Sequence, residues 1–419
     1  MKKKIYSCMD DYDPNSILIE DALKKIRKIT KKIDSYEYVS LIESHDRILY
    51  ENIKSKIKVP NYNNSAMDGY AMRYFDIKKN KVFKVSGSSL AGSPYKGKIN
   101  KNECIKIMTG AVIPKDCDVV IMKEETEIID KNIINIVSKN IKKNQNIRFA
   151  GEDICPNRIL LKKFDTINSA AMGLLASQGI NKLKVFKKPK ISFFTSGDEV
   201  IPINKKLPHG KVYDSNRFTL TGMLTKNNID IVDLGHAKDN ITDIKKKFAK
   251  GMKESDLVIS TGGVSVGDAD YIKDVVNELG DINFWKVAVK PGRPLAFGRL
   301  NKTIFFGLPG NPVSVMITFL LFVLPAINIL SGKKYELKTE NAILKSDLKK
   351  RKGRAELQRG IYNIENDKKY VTSVGEQGSG ILSSMTKANC LIYLPMEKGK
   401  SKINDIVEII KFNDYIWVF

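Results

Sequence analysis

The turn TGGVSVGDAD follows the apolar run DLVIS and leads into ADYIKDV, so Gly262, Gly263 and Gly267 stand where main-chain N–H groups open onto an expected helix start. Glycines there let a ligand approach the backbone, and helix N-termini favour anions, although the same residues also serve ordinary tight turns. A second turn, GLPGNP, precedes a long apolar run, with Asn311 expected as N-cap and Pro312 as first helical residue. Between the turns, FWKVAVKPGRP carries Lys286 and Lys290. Read as one strand, it points both lysines to one face and Trp285, Val287 and Val289 to the other. Lysines on such a buried strand need an anionic partner or a route to water. Asp68 (NSAMDGYA), Asp153 (GEDI), Glu199 (SGDEV), Asp239 (HAKDN) and Asp270 (GDADY) each adjoin a glycine turn or an expected strand end. Acids in such turns often bond only their own backbone, while the helix starts suit a phosphate or oxyanion. Neither a Walker A motif nor a GxGxxG fingerprint occurs, which disfavours P-loop hydrolysis and dinucleotide binding.

Such turns need a sheet behind them. From Pro189 onward KISFFTSG, DSNRFTLTGMLTKN, IDIVDLGH, TDIKKKFAKGMK, DLVISTGG, ADYIKDVVNELG and INFWKVAV alternate strand and helix, which predicts a parallel sheet flanked by helices, with ligands beyond the strands' carboxyl ends. Upstream, SILIEDALKKIRKI and YVSLIESHDRILYENI read as two amphipathic helices, and NSAAMGLLASQG as a third helical piece that rejoins them, with Gly179 as C-cap. Short β-rich runs from about Val82 to Val137 and again near the C-terminus read as small β domains. The expected fold class is a multidomain α/β plus β protein. A discontinuous helical N-terminal region takes 1–60 and 149–188, an inserted β-rich domain 61–148, a parallel-sheet α/β domain 189–334 and a small C-terminal β domain 335–419.

The formal net charge of +24 raises the question of nucleic acid. The basic residues are mostly lysines scattered through every segment, without a basic stripe interleaved with aromatics, so no nucleic-acid partner is expected; a positive field that draws in small anions is. Five cysteines without CxxC spacing and three histidines without HExxH spacing argue against a disulfide framework and against zinc. MKKKIY is followed by CMDDYDPN instead of an apolar run, so no export signal is read and a cytoplasmic location is expected. VSVMITFLLFVLPAINIL is uncharged and reaches spanning length, but Ser314, Thr318, Pro325 and Asn328 interrupt it, and it reads as a buried α/β helix with no membrane partner.

In this order PNYNNSAMDGYAM, AGSP, IMTGAVIP, AGEDI, SGDEV, DSNR, VISTGGVSVGDADY, FWKVAVKPGRP, FGLPGNPVS, ELQRG and GEQGSG resemble the molybdopterin molybdenumtransferases, or molybdenum insertases, including the E domain of gephyrin. The resemblance spans most of the chain. It implies an elongated homodimer of four-domain subunits, with the N-terminal region in dimerisation and an active-site cleft between the α/β domain and the partner's N-terminal and β regions. It also implies a reaction: adenylylated molybdopterin binds, its phosphoanhydride is hydrolysed with a divalent metal such as Mg2+, AMP leaves, and molybdate is ligated by the dithiolene sulfurs. Carried over by motif, Asp68, Glu199, Asp239, Asp270, Lys286 and Lys290 are the expected catalytic residues. Thr109, Gly262, Gly263, Ser265, Gly267, Pro309, Gly310, Pro312 and Ser379 are the expected substrate-binding residues, and Asp68, Asp153 and Glu199 the expected metal ligands. Asn63 and Asn240 stand where the family commonly has acids, which removes possible negative charge near the metal. The adenylyltransferase of the same pathway resembles only the α/β domain and carries a GGTG turn, whereas Val264 follows Gly263 here. That enzyme and apo molybdoenzymes are expected as transient partners.

Overall fold

The computed structural model describes residues 13–225, 227–263, 271–333 and 336–415. The chain divides into two compact units, one of residues 38–185 and one formed by the flanking residues 1–37 and 186–419.

In the 38–185 unit a six-stranded sheet runs in the order Val119–Met122, Gly69–Met72, Glu103–Ile107, Val82–Ser89, Ile133–Ile136, Thr126–Asp130. Successive side chains of a strand alternate faces, and here both faces are apolar. Tyr70, Met72, Cys104, Val119 and Ile121 pack in one cluster, and Ala71, Ile105, Ile107 and Val120 in another. The helix Ser169–Ser177 is capped by Asn168, whose side chain accepts from Ala171 N at 2.9 Å, and the chain leaves it at Gly179 with φ +68°.

The helix expected over YVSLIESHDRILYENI does not form. Tyr36–Ser40 is a strand, Leu41–Glu43 a single 3-10 turn and Ile53–Lys54 a short strand. The alternation Y-E-Y-V-S satisfies a period of two as well as a helical stripe, and aromatic and β-branched residues favour the extended form. Ser40 and Glu43 then close a capping box, and Asp46 takes φ +60°, so no helix can propagate.

In the second unit the central sheet has the order Asp230–Ala237, Lys190–Ser196, Leu257–Thr261, Thr303–Leu308, Pro294–Leu300, Asp281–Lys286. The first four strands are parallel, whereas Pro294–Leu300 is antiparallel to both its neighbours, Thr303–Leu308 and Asp281–Lys286, so the sheet is mixed and not purely parallel. The reason is chain length: only a tight turn at Asn301, φ +53°, joins Pro294–Leu300 to Thr303–Leu308, and a parallel crossover needs a dozen or more residues. One face of the sheet packs Phe193, Ile259 and Phe306; the other packs Phe194 and Phe305 against Phe248 of the helix Ile241–Glu254, with ring centroids 5.1 and 5.3 Å apart.

The helix Ile19–Ile29 forms as expected, and Ala22 and Ile26 enter the α/β core with Leu324, Ile327 and Leu330. Its apolar stripe meets the long helix Pro312–Leu330, whose most apolar window is 89% buried in the structure. This is why VSVMITFLLFVLPAINIL tolerates no charge. A π-helical turn at Phe319–Val323 precedes Pro325, whose ring and missing N–H cannot continue a regular α ladder.

Beyond residue 336 the strands Ala355–Glu365, Lys368–Ser373, Glu340–Leu344, Ile406–Lys411 and Cys390–Leu394 pair in that order, and the last returns to pair with the first, closing a barrel. FWKVAVKPGRP crosses into this barrel. Asp281–Lys286 ends the α/β sheet, while Val289–Lys290 pairs with Ala355 and Glu356. Lys286 and Lys290 therefore do not share one face of a single strand. Ile17 bridges to Val287 at the break, a pairing that no local pattern around residue 17 encodes.

A candidate anion-binding site at the strand ends

The parallel strands Leu257–Thr261 and Thr303–Leu308 end side by side, and each runs straight into one of the glycine turns. Gly262 has φ +87°, and a Cβ placed on it would lie 2.2 Å from Ser196 O, so this turn accepts only glycine. A Cβ on Gly310 would have Gly262 Cα, at 3.7 Å, as its nearest neighbour, which puts the two turns face to face. A third strand-end element ties them. Asn216, from DSNR at the start of the helix Ser215–Thr225, donates through Nδ2 to Gly310 O at 2.7 Å and to Thr261 Oγ1 at 3.0 Å; Thr261 Oγ1 in turn donates to Pro309 O at 2.9 Å. Asp214 accepts from Thr195 Oγ1 at 2.6 Å and caps that helix through Arg217 N at 3.1 Å.

These elements enclose a pocket of about 680 Å3 lined by Glu199, Asp214, Asn216, Gly262, Gly263, Arg293, Pro309, Gly310, Asn311 and Pro312 among others. Helix Pro312–Leu330 starts at its wall, with Asn311 at the N-cap position and no side-chain cap bond, so the positive end of the helix dipole faces the pocket. Asn216 Oδ1 is buried and, among the described residues, has no hydrogen-bond partner. Positive charge comes from Arg293, which lines the pocket at 3% exposure.

Of the residues singled out from sequence, Glu199, Gly262, Gly263, Pro309, Gly310 and Pro312 thus line one pocket. Ser379 contributes its carbonyl, which accepts from Val313 N at 3.2 Å in the first helical turn, and Gly380 lines the wall. Lys286 and Lys290 are ion-paired and lie outside the lining: Lys286 Nζ is 3.2 Å from Asp13 Oδ2, and Lys290 Nζ is 3.2 Å from Glu356 Oε1. Their anionic partners are carboxylates of the chain itself. Ser265, Gly267 and Asp270 lie outside the described residues.

Asp239 and Asp198 clasp each other's turns, each N–H donating to the other's carboxylate at 3.2 Å. Burial, and beyond it the charges of Asp198 and Glu199, push the Asp239 carboxyl above its ordinary value. This accumulation of negative charge is the kind of donor set a hard cation relieves. Among the described residues no three His, Cys, Asp or Glu side chains form a ready-made metal cluster. Magnesium commonly takes only one or two carboxylates and draws its other ligands from phosphate and water, so the acids present fit such an ion.

In the 38–185 unit, two residues from separate motifs meet. Asp68 Oδ1 accepts from both Thr109 N and Thr109 Oγ1 at 2.8 Å, and these donors hold its carboxyl below the ordinary value. Gly69 follows because a Cβ there would lie 1.9 Å from Ile121 O of the neighbouring strand. Asp153 is exposed in a loop where its N–H donates to Val59 O and its carbonyl accepts from Arg158.

Comparison with known proteins decides what this architecture is. The MoeA N-terminal region (domain I and II) matches residues 17–179, the probable molybdopterin binding domain matches 192–328, and the MoeA C-terminal region (domain IV) matches 341–412. A molybdopterin molybdenumtransferase of Haemophilus influenzae is 42% identical over 90% of this chain and 94% of its own. The chain belongs to the molybdopterin molybdenumtransferase family. Gephyrin of Dictyostelium discoideum is 32% identical over 94% of this chain and 62% of its own length. Among solved structures, the molybdopterin biosynthesis moeA protein of Pyrococcus horikoshii superposes with a TM-score of 0.79 at 28% identity, over 94% of this chain and all of that one. Molybdopterin molybdenumtransferases are transferases, so the pocket belongs to an enzyme. Three of its residues, Arg293, Asn216 and Asp214, were not singled out from sequence. Each sits inside a motif that was, KPGRP or DSNR, and the signal passed over was polar residues adjoining an expected strand end.

Proposed function

We propose that this chain transfers molybdenum from molybdate to adenylylated molybdopterin, with cleavage of the phosphoanhydride and release of AMP. The observation that carries this reading is the convergence of two glycine turns, the start of the Pro312–Leu330 helix and Arg293 on one pocket at parallel strand ends, in a chain of this family. Main-chain N–H groups of the glycine turns and the positive end of the helix would hold the nucleotide phosphates, and Arg293 adds the charge that two anionic reactants require. Glu199 and Asp239 would hold Mg2+, which supplies charge neutralisation at phosphate oxygens. Asp68, set by Thr109, is proposed to serve the same reaction. Water adds across the phosphoanhydride as AMP leaves, returning the terminal phosphate to molybdopterin, and the two dithiolene thiols displace oxygens of molybdate, which leave as water.

The same reading includes a homodimer, a cytoplasmic location, and hand-over between the adenylyltransferase and apo molybdoenzymes. It is tested by incubating the protein with adenylylated molybdopterin, Mg2+ and molybdate, then following AMP release and activation of an apo molybdoenzyme. AMP release together with a reconstituted enzyme is the expected result. Failure of both with folded protein overturns the proposal.

A further inference from the structure

Residues 13–17 sit against the break between Lys286 and Lys290. Ile17 N donates to Lys286 O at 3.1 Å, and Ala288 N donates to Ile17 O at 2.8 Å, so main-chain pairing fixes the register of this segment. That register delivers Asp13, 1% exposed, to the cations beneath the pocket. Its two carboxylate oxygens have separate tasks. Oδ1 accepts from Asn15 N at 2.9 Å and Asn15 Nδ2 at 3.1 Å, which locks the side chain, while Oδ2 lies 2.6 Å from Arg293 Nη2 and 3.2 Å from Lys286 Nζ. Arg293 lines the pocket, whereas Asp13 does not.

We propose that Asp13 is a positioning residue of the anion pocket, acting through Arg293: its short ion pair to Nη2 fixes the plane in which the guanidinium charge stands at the pocket wall. A guanidinium is a rigid planar fork, so fixing one nitrogen in a charge-assisted bond orients the rest. The buried carboxylate also balances one of two adjacent cations, so that the pocket wall stays packed without an anion bound. Lys286, expected from sequence to act on the substrate directly, here completes this clamp.

The inference rests on the reading of the pocket as an anion site, and the test separates the two. Full-length wild type, Asp13→Asn, Arg293→Ala and the double variant are titrated calorimetrically with AMP and, in a second arm, with molybdate; the two arms show which oxyanion Arg293 meets. Asp13→Asn is expected to weaken one of them roughly tenfold, the scale of one lost charge-assisted contact. The double variant is expected to bind no more weakly than Arg293→Ala alone, because both changes remove one interaction; damage of a merely structural kind would add. Wild-type affinity in Asp13→Asn, or additive losses, overturns the role of Asp13. Unchanged binding of both anions by Arg293→Ala overturns instead the pocket reading on which it rests. If Asp13→Asn does not fold, Asp13→Glu keeps the charge and shifts the carboxylate by one methylene; several-fold weaker binding supports the clamp, and unchanged binding sinks it.

Discussion

At the scale of single residues, electrostatics run in opposite directions at two acids, one in each unit. Thr109 donors stabilise the Asp68 carboxylate, whereas burial and like charge destabilise that of Asp239. Removing the cause should move each back. Thr109→Ala is expected to raise the Asp68 pKa and Glu199→Gln to lower that of Asp239, both read by carboxyl carbon-13 NMR titration; an unmoved Asp239 would mean that Glu199 is not a source of its shift. Asp13 behaves like Asp68. Burial pushes its carboxyl up, but the Asn15 N–H, Arg293 and Lys286 outweigh this and hold it at about 2 against an ordinary 3.8. A folded-state pKa below the unfolded value contributes stability that is complete above about pH 4 and fades as the pH falls towards 2. The stability gap between wild type and Asp13→Asn should therefore shrink by on the order of 2 kcal/mol over that window in urea titrations. A constant gap would show that the charge of Asp13 does not stabilise the fold.

At the scale of elements, the two glycine turns make different demands. Gly262 combines φ +87° with a carbonyl 2.2 Å from any Cβ, so Gly262→Ala should cost at least about 2 kcal/mol of stability. Gly310 has 3.7 Å of clearance, and Gly310→Ala should leave stability within about 0.5 kcal/mol while narrowing the gap between the turns, so AMP binding weakens. Urea denaturation alongside calorimetric titration checks the pair, and equal AMP affinity in Gly310→Ala would mean that the ligand does not pass between the turns. Strand and helix types in the α/β unit were readable because apolar period and glycine punctuation agree there. They misled over residues 38–53, where one pattern satisfied both periods and local side-chain bonds decided.

At the scale of the whole molecule, the formal net charge of +24 surrounds the proposed anion site, while Arg293 in its wall and Lys286 and Lys290 outside it are ion-paired internally. Long-range field and local contact should then separate experimentally. Association of the anionic substrate is expected to slow as ionic strength rises, in stopped-flow mixing, while Arg293→Ala should chiefly speed dissociation. A salt-independent association rate would leave the lysine excess without a role in capture.

The amino-acid order alone specified the glycine turns, the helix starts, the β character of the inserted and C-terminal segments, and the motif series that carries the family, because each depends on neighbours within about ten residues. Tertiary structure decided which charges are spent on each other. Asp13 meets Lys286 and Arg293 across more than 270 positions, and Lys290 meets Glu356 across 66. No local pattern encodes such pairings, since they arise only when the N-terminal segment adds itself to the break in the strand and the barrel closes beside it.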